Sequence, residues 1–374
     1  MFNRDSKNFL VRWWWQNDKS MLLSFALLMF LGIILVITAS PFVAMRIGAS
    51  PYYFIYNQLF YLLLSLAIIF FISILDKRKL ILLIMFGFSI SIILMLLVIF
   101  FGTEIKGARR WIYLFGFSIQ PSEFMKVFFP AFMALVWKRM ELTRRDKVSI
   151  YLTLSIIYVA VIVLLVKQPD FGSSILISLV FLGILFIAGI SYLWVIILGF
   201  VGSILGVLAY FMIPHVNYRV NSFFFEEKSY QTGKAIEAIF NGKIFGLGAG
   251  QGVVKQYLPD SHTDFIFAVG IEEFGLIFGL FLILIYLNII YRLFYNIQRQ
   301  HDSFNIIALS GSMLLLAVQS FIHVASNINL IPTKGMTLPL ISYGGSSLIA
   351  MAILIGIILN LTKKDIKNII LKTE

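Results

Sequence analysis

Apolar residues in this chain come in long unbroken runs, without the polar interruptions of a surface helix or a half-buried strand. From Met21 onward, stretches of bilayer length recur, and each crossing needs ~17–25 residues. Ten spans are expected, at residues 21–40, 57–75, 80–101, 119–137, 149–166, 171–189, 192–213, 265–291, 305–327 and 345–362. The pattern predicts an all-α polytopic membrane protein with about ten transmembrane helices. Spans five to seven are separated only by Lys167-Gln168-Pro169-Asp170 and by Ser191, and Pro169 would break or kink any helix drawn straight through it. No internal repeat or inverted half is visible, which speaks against a transporter built from duplicated bundles. The chain, residues 1–374, reads as one integral membrane domain, with a long external loop at 214–264 between helices 7 and 8 and a re-entrant loop at 328–344. Thr38-Ala39-Ser40-Pro41 resembles a helix end more than a processing site, so no cleaved signal peptide is expected.

Composition sharpens this. With 60% hydrophobic and 13% charged residues, against ~45–50% and ~25% in soluble domains, a water-soluble enzyme is excluded. The absence of cysteine removes disulfides, thiolate metal sites and Cys nucleophiles. The net charge of +12 needs no nucleic-acid partner, because its sources lie in short loops beside the spans. Of the 30 Lys and Arg, 18 fall on the side of the N-terminus, Lys77-Arg78-Lys79, residues 138–147, Arg292, Arg299 and the tail. Eleven fall on the other side and Lys126 lies within a span. The side richer in cations is cytoplasmic, which puts both termini inside.

Several polar residues stand where they are costly. Lys106, Arg109 and Arg110 crowd one short external loop, where orientation alone disfavours three cations. The loop 214–264 is the only connection with room for a site of its own. Its aromatics, Phe223, Phe224, Phe225, Tyr230, Phe240, Phe245 and Tyr257, argue against disorder. Within it, Gly246-Leu247-Gly248-Ala249-Gly250-Gln251-Gly252 lacks the βαβ context and the GK[ST] of a nucleotide loop, and reads as a hinge or tight turn. Gln120-Pro121-Ser122-Glu123-Phe124-Met125-Lys126 opens span four, with Glu123 and Lys126 on one helical face and able to neutralise each other. His262-Thr263-Asp264 opens span eight. The spacing of four through Ala268 to Glu272 predicts a shared face, Asp264 at the outer mouth and Glu272 two turns deeper. A helix cap would account for Asp264 but not for the acids below it. Glu273 faces elsewhere and is expected to pair with another helix. The stretch 332–347, with two prolines and three glycines, cannot be one continuous helix. Non-helical backbone at membrane depth survives only against protein or a water-filled cavity, so a cavity-lining re-entrant element is expected. Trp13-Trp14-Trp15 reads as an interfacial anchor before span one.

Ionisable groups inside spans are functional hypotheses by default. Here the external mouth is expected to gather cations (Lys106, Arg109, Arg110, Lys334) and carboxylates (Asp264, Glu123). Arg forks suit a diphosphate, a neighbouring carboxylate suits a general base, and an opening to the bilayer suits a lipid-linked donor. The residues by themselves point to an anionic, lipid-linked substrate handled externally.

Five motifs in order along the chain also resemble a known family. Lys106-Gly107-Ala108-Arg109-Arg110-Trp111-Ile112, Gln120 to Lys126, Gln168-Pro169-Asp170-Phe171-Gly172, Leu258-Pro259-Asp260-Ser261-His262-Thr263-Asp264-Phe265 and residues 332–347 are similar to signatures of the shape, elongation, division and sporulation (SEDS) family. Trp13-Trp14-Trp15 with Asp18, and residues 39–44, look like its division branch rather than its elongation branch. The resemblance implies a ten-helix peptidoglycan glycosyltransferase of the bacterial cytoplasmic (inner) membrane, at the division septum. Such an enzyme polymerises lipid II through β-1,4 bonds and releases undecaprenyl pyrophosphate. The resemblance implies Asp264 as the base for the acceptor 4-hydroxyl. Arg109, Arg110 and Lys334, with Lys106, would face the departing diphosphate, where a divalent cation (magnesium or manganese) is the expected cofactor, its protein ligands unknown. The further substrate-site candidates are Gln120, Ser122, Glu123, Lys126, Asp170, His262, Thr263, Glu272, Thr333 and Ser346. A class B penicillin-binding transpeptidase and other membrane proteins of division are the implied partners. One departure stands in span nine, where division-type relatives commonly show Asn and this chain has His323; a histidine can serve as donor or acceptor in an amide's place, so repacking rather than lost activity is expected, with the local hydrogen bonding left open. The residues alone also leave open a lipid II flippase using Glu123, Lys126 and Glu272 as midplane steps, an elongation-type polymerase, and a division scaffold.

Overall fold

A computed structural model describes residues 9–105, 108–114, 117–212, 217, 221, 230–332 and 335–364. A helix stands at each expected span: α2 (Lys19–Ala39), α4 (Tyr53–Ile74), α5 (Lys77–Phe101), α6 (Pro121–Leu142), α7 (Lys147–Lys167), α8 (Phe171–Ile187), α9 (Tyr192–Met212), α11 (Ile266–Ile297), α12 (Ser303–Asn327) and α13 (Gly345–Leu361). Short helices α1 (Phe9–Gln16) and α3 (Pro41–Arg46) flank α2, and α10 (Tyr230–Gly242) lies within the long connection before α11. In lipid every backbone amide must be satisfied within its own segment, so apolar runs of this length fold as helices. Aspartates start several of them: Asp18, Asp146, Asp170 and Asp302 each accept backbone amides of the first turn, as N-caps do. Seven of the helices are long and apolar enough to cross a bilayer, and α8 and α13 are shorter apolar helices. Lys364 N donates to Gln16 O at 3.0 Å, which places the two ends of the described chain on one side, as the charge pattern requires.

The core centres on α13, which packs against α4, α6 and α12 and buries residues around its whole circumference. At the other extreme α9 buries none. The short cation-rich loop between α5 and α6 departs from an all-helical reading. It is a three-stranded antiparallel sheet of β1 (Thr103–Ile105), β2 (Ala108–Leu114) and β3 (Phe117–Ile119), in that order, with Glu104 opposite Arg109 and Ile112 opposite Ile119. Trp111-Ile112-Tyr113 supply the aromatic and β-branched residues that favour a pleated surface. Span four therefore begins at Pro121, in the first turn of α6, where a missing amide costs nothing.

Span eight is broken. Gly275 sits at φ 85°, ψ 173° inside α11, which orphans amides and carbonyls on either side. Residues 243–248 of the external connection fill the gap. Leu247 N and Gly248 N donate to Glu272 O (3.0 Å) and Glu273 O (2.9 Å), while Leu276 N and Ile277 N donate to Lys243 O (3.0 Å) and Ile244 O (3.4 Å). Buried backbone groups need such partners, and the glycine-rich string lets the two backbones approach. Gly246 has φ +81°, and a Cβ there would stand 2.2 Å from Glu273 O and 2.6 Å from Gly275 N. Gly246→Ala is expected to cost about 2–5 kcal/mol, the sum of a left-handed alanine (~1–2) and overpacking (~1–3). Gly250→Ala, at φ +77° with nothing within 4 Å, is expected to cost only the first part, about 1–2 kcal/mol. Melting curves of the two variants in detergent check the difference.

Candidate functional site

The segment that carries Asp264 is a turn, and the helix begins two residues later. Asp260, at φ +54°, accepts Thr263 N (3.1 Å), Asp264 N (3.0 Å) and Phe265 N (3.3 Å) on its carbonyl; aspartate is among the few residues that enter this conformation readily. The next carbonyls are tied to the segment before α13. His262 O accepts Tyr343 N at 2.9 Å, and Thr263 O accepts Ser342 Oγ at 2.7 Å, while that oxygen accepts Leu338 N at 2.8 Å. At the start of that segment Gly335 stands beside the Asp264 side chain, since a Cβ on it would lie 3.3 Å from Asp264 Oδ2. Asp264 itself is half-buried. Beside it, the His262 ring packs between Phe54 (centroids 4.3 Å) and Tyr343 (5.3 Å). Burial pushes this imidazole down to about 4, so it is neutral at physiological pH and unsuited to holding an anion by charge.

From the segment before α13 the polar line continues inward. His323 Nδ1 meets Met336 O at 2.7 Å, Gln319 Nε2 donates to Thr337 O at 3.0 Å, and the Thr337 and Ser347 hydroxyls are 2.7 Å apart. His323 thus ties the segment before α13 to α12. Next to Ser347, Ser346 Oγ accepts Gln120 N (3.1 Å) and donates to Ser118 O (3.0 Å). Gln120 Nε2 reaches Ser122 Oγ (3.2 Å), which reaches Asp170 Oδ2 (3.3 Å). Glu123 and Lys126 form the expected i,i+3 pair at 2.7 Å, both buried. The structure therefore joins Gln120, Ser122, Asp170 and Ser346 in one network, with Glu123 and Lys126 paired a turn further along α6 and Asp264 beside the start of the segment before α13. Thr333, Lys334 and Lys106 lie outside the described residues.

The two loop arginines separate. Arg109 is half-exposed and only loosely paired with Glu104 at 3.4 Å. Arg110 turns inward, donates to the carbonyls of Gln168 and Pro169, and stands 3.8 Å from Asp170. It ties β2 to the connection between α7 and α8, with Nε and Nη2 engaged by these carbonyls and Nη1 facing Asp170. Arg110→Glu breaks charge-assisted bonds of about 1.5–3 kcal/mol each and sets a carboxylate beside Asp170. It is expected to lower the melting temperature in detergent sharply, while Arg109→Glu leaves it near wild type.

Glu272 is corrected too. Because Asp264 precedes the helix, the two acids do not share a helical face. Glu272 is fully buried, and its carboxylate accepts Val253 N (2.9 Å), Val254 N (2.7 Å) and Lys255 N (3.2 Å). It latches the external loop and does not line a substrate cavity. Glu273 pairs with the buried Lys255 of that loop, which also donates to Thr38 O (3.0 Å) and Gly250 O (3.1 Å); the expected partner helix is replaced by a loop. Among the described residues no three His, Asp or Glu side chains converge as a metal site, so they form no protein cage for a resident cation. Asn327 went unnoticed in the sequence because it ends an apolar span and resembles an ordinary helix terminus, yet it contacts the Asp264 peptide.

A helical bundle with a broken span, a long loop latched into the break and a half-buried carboxylate on the turn before that span defines a multi-pass membrane protein. The family model for cell cycle proteins of the FtsW, RodA and SpoVE type matches residues 18–367, and the chain belongs to this family. A probable peptidoglycan glycosyltransferase FtsW of Caulobacter vibrioides is 38% identical, covering 97% of this chain and 93% of its own. The protein of the same name from Haemophilus influenzae is 34% identical, covering 93% and 91%. Among solved structures, a chain from a peptidoglycan synthase complex that coordinates polymerization and crosslinking superimposes with TM-score 0.77 at 25% identity, over 93% of this chain and 98% of that one. The rod shape determining protein RodA of Thermus thermophilus gives TM-score 0.70 at 26% identity, over 93% and 97%.

Proposed function

We propose that this chain is a peptidoglycan glycosyltransferase that polymerises lipid II at the outer face of the bacterial cytoplasmic membrane, during septal wall synthesis. The observation that carries the reading is the fixed placement of Asp264, on a turn whose carbonyls are held by a second, re-entrant segment. The Asp264 carboxylate accepts the proton of the acceptor's 4-hydroxyl as that oxygen bonds to the donor's anomeric carbon. The glycosyl–phosphate bond breaks and its electron pair leaves with undecaprenyl pyrophosphate. Preorganised cations stabilise the charge that develops there; Arg109 is the described candidate, joined by Lys106 and Lys334. Ser346, Gln120 and Ser122 form the polar wall, and the Glu123–Lys126 pair keeps two buried charges neutral without a net field on the substrate. A divalent cation would accompany the diphosphate, held by phosphate oxygens rather than by a protein cage. The names of the curated relatives and the fold shared with a peptidoglycan synthase complex support this activity. They also support a class B transpeptidase as the cross-linking partner, alongside other division proteins.

Purified chain, with a class B transpeptidase and lipid II in detergent, is expected to yield glycan polymer although no membrane separates two compartments. A flippase would yield none, and absence of polymer in this mixture would contradict the proposal.

A further inference from the structure

Asn327, the last residue of α12, is fully buried and uses both polar atoms of its amide. Nδ2 donates to Asp264 O and His323 O, both at 2.9 Å, and Oδ1 accepts Ala268 N at 3.2 Å. Two carbonyls on one side and an amide on the other admit only this orientation of the side chain. Ala268 N belongs to the first turn of α11, where amides have no intrahelical partner. The residue at the cap position, Phe265, supplies no side-chain acceptor. A residue from another helix therefore does the capping, and the same amide holds the carbonyl of Asp264 itself.

We propose that Asn327 is a positioning residue for Asp264, fixing where its carboxylate stands relative to the reacting hydroxyl. The inference rests on the reading of Asp264 as the base. The peptide after Asp264 is one bond from its Cα, so rotation of that peptide swings the side chain. Ser342 and Tyr343 hold the two preceding carbonyls, which leaves the Asp264 carbonyl as the point where the turn is secured to α12. Displacement of a catalytic group by about 1 Å can cost on the order of 10²-fold in rate. Asn327 touches no position assigned to substrate, so its loss reduces turnover and leaves lipid II binding alone.

Initial rates of polymer formation across lipid II concentrations test this with the complete chain and its transpeptidase. Asn327→Ala is expected to lower kcat about 100-fold with KM nearly unchanged. Asn327→Asp keeps the volume and an acceptor for Ala268 N but loses both donors, and is expected to lose kcat in the same way. Unchanged kcat in either folded variant would overturn the inference. So would a rise in KM that accounts for the loss, or failure of both variants to accumulate, since each marks a general structural role. Asp264→Ala run alongside separates the two ideas: full activity there sinks the reading of the base, whereas an inactive Asp264→Ala with an unimpaired Asn327→Ala sinks only the positioning role.

Discussion

Lys255→Met is expected to destabilise the protein by about 3–5 kcal/mol, the cost of breaking a buried ion pair from one side, and to leave little folded material after extraction. The Lys255 side chain is 1% exposed and that of its partner Glu273 is fully enclosed. Its ammonium holds the Glu273 carboxylate and the carbonyls of Thr38 and Gly250, so loop, α2 and α11 all converge on one charge. The other Glu273 oxygen has no partner among the described residues. Without the ammonium that carboxylate would remain buried and uncompensated, in a place where water cannot reach it. Lys255→Met combined with Glu273→Gln removes both charges and is expected to recover most of the loss, because the penalty lies in the unpaired ion more than in the absent bond. Thermal denaturation of the single and double variants in detergent measures this. A single variant as stable as wild type would contradict it. The latch bears on function because the 3-10 turn Val254–Gln256, which contains Lys255 and donates to Glu272, precedes the turn that bears Asp264 by a few residues.

The helices were legible because a bilayer demands long apolar runs, and the shared side of the two chain ends was legible from where Lys and Arg collect. The Glu123–Lys126 pair was legible because i,i+3 spacing is local. Features that depend on distant backbone were not. Gly275 inside an apolar run looks like a tolerated helical glycine, and the segment that fills the break comes from residues 243–248. Glycines at 242, 246, 248, 250 and 252 were the available sign of close backbone approach. Glu272 seemed to share a face with Asp264 only if the helix was drawn two residues too early; its real partners are three loop amides. Arg109 and Arg110 look equivalent in sequence, yet alternation along β2 sends them to opposite faces, one outward and one onto Gln168 and Pro169. Trp111-Ile112-Tyr113 carried a strand signal that three neighbouring cations obscured.

Asp264→Asn is expected to slow glycosidic bond formation by about 10²–10⁴-fold, the range contributed by a positioned general base. The substitution keeps the size of the side chain. Hydrogen bonds that fix the turn are made by the backbone of residues 260–265, and these are expected to persist in the variant. The amide cannot take the proton from the acceptor hydroxyl at neutral pH. On the proposed reading lipid II would be held chiefly through its diphosphate and lipid, so its affinity is expected to stay close to wild type. The most direct test is a single-turnover measurement of the first glycosidic bond, with enzyme and partner in excess over bound lipid II, for wild type and Asp264→Asn at matched occupancy. The expected result is equal binding with bond formation slower by at least about 100-fold. Bond formation at the wild-type rate in the folded, lipid II-bound variant would contradict the assignment of Asp264 as the base.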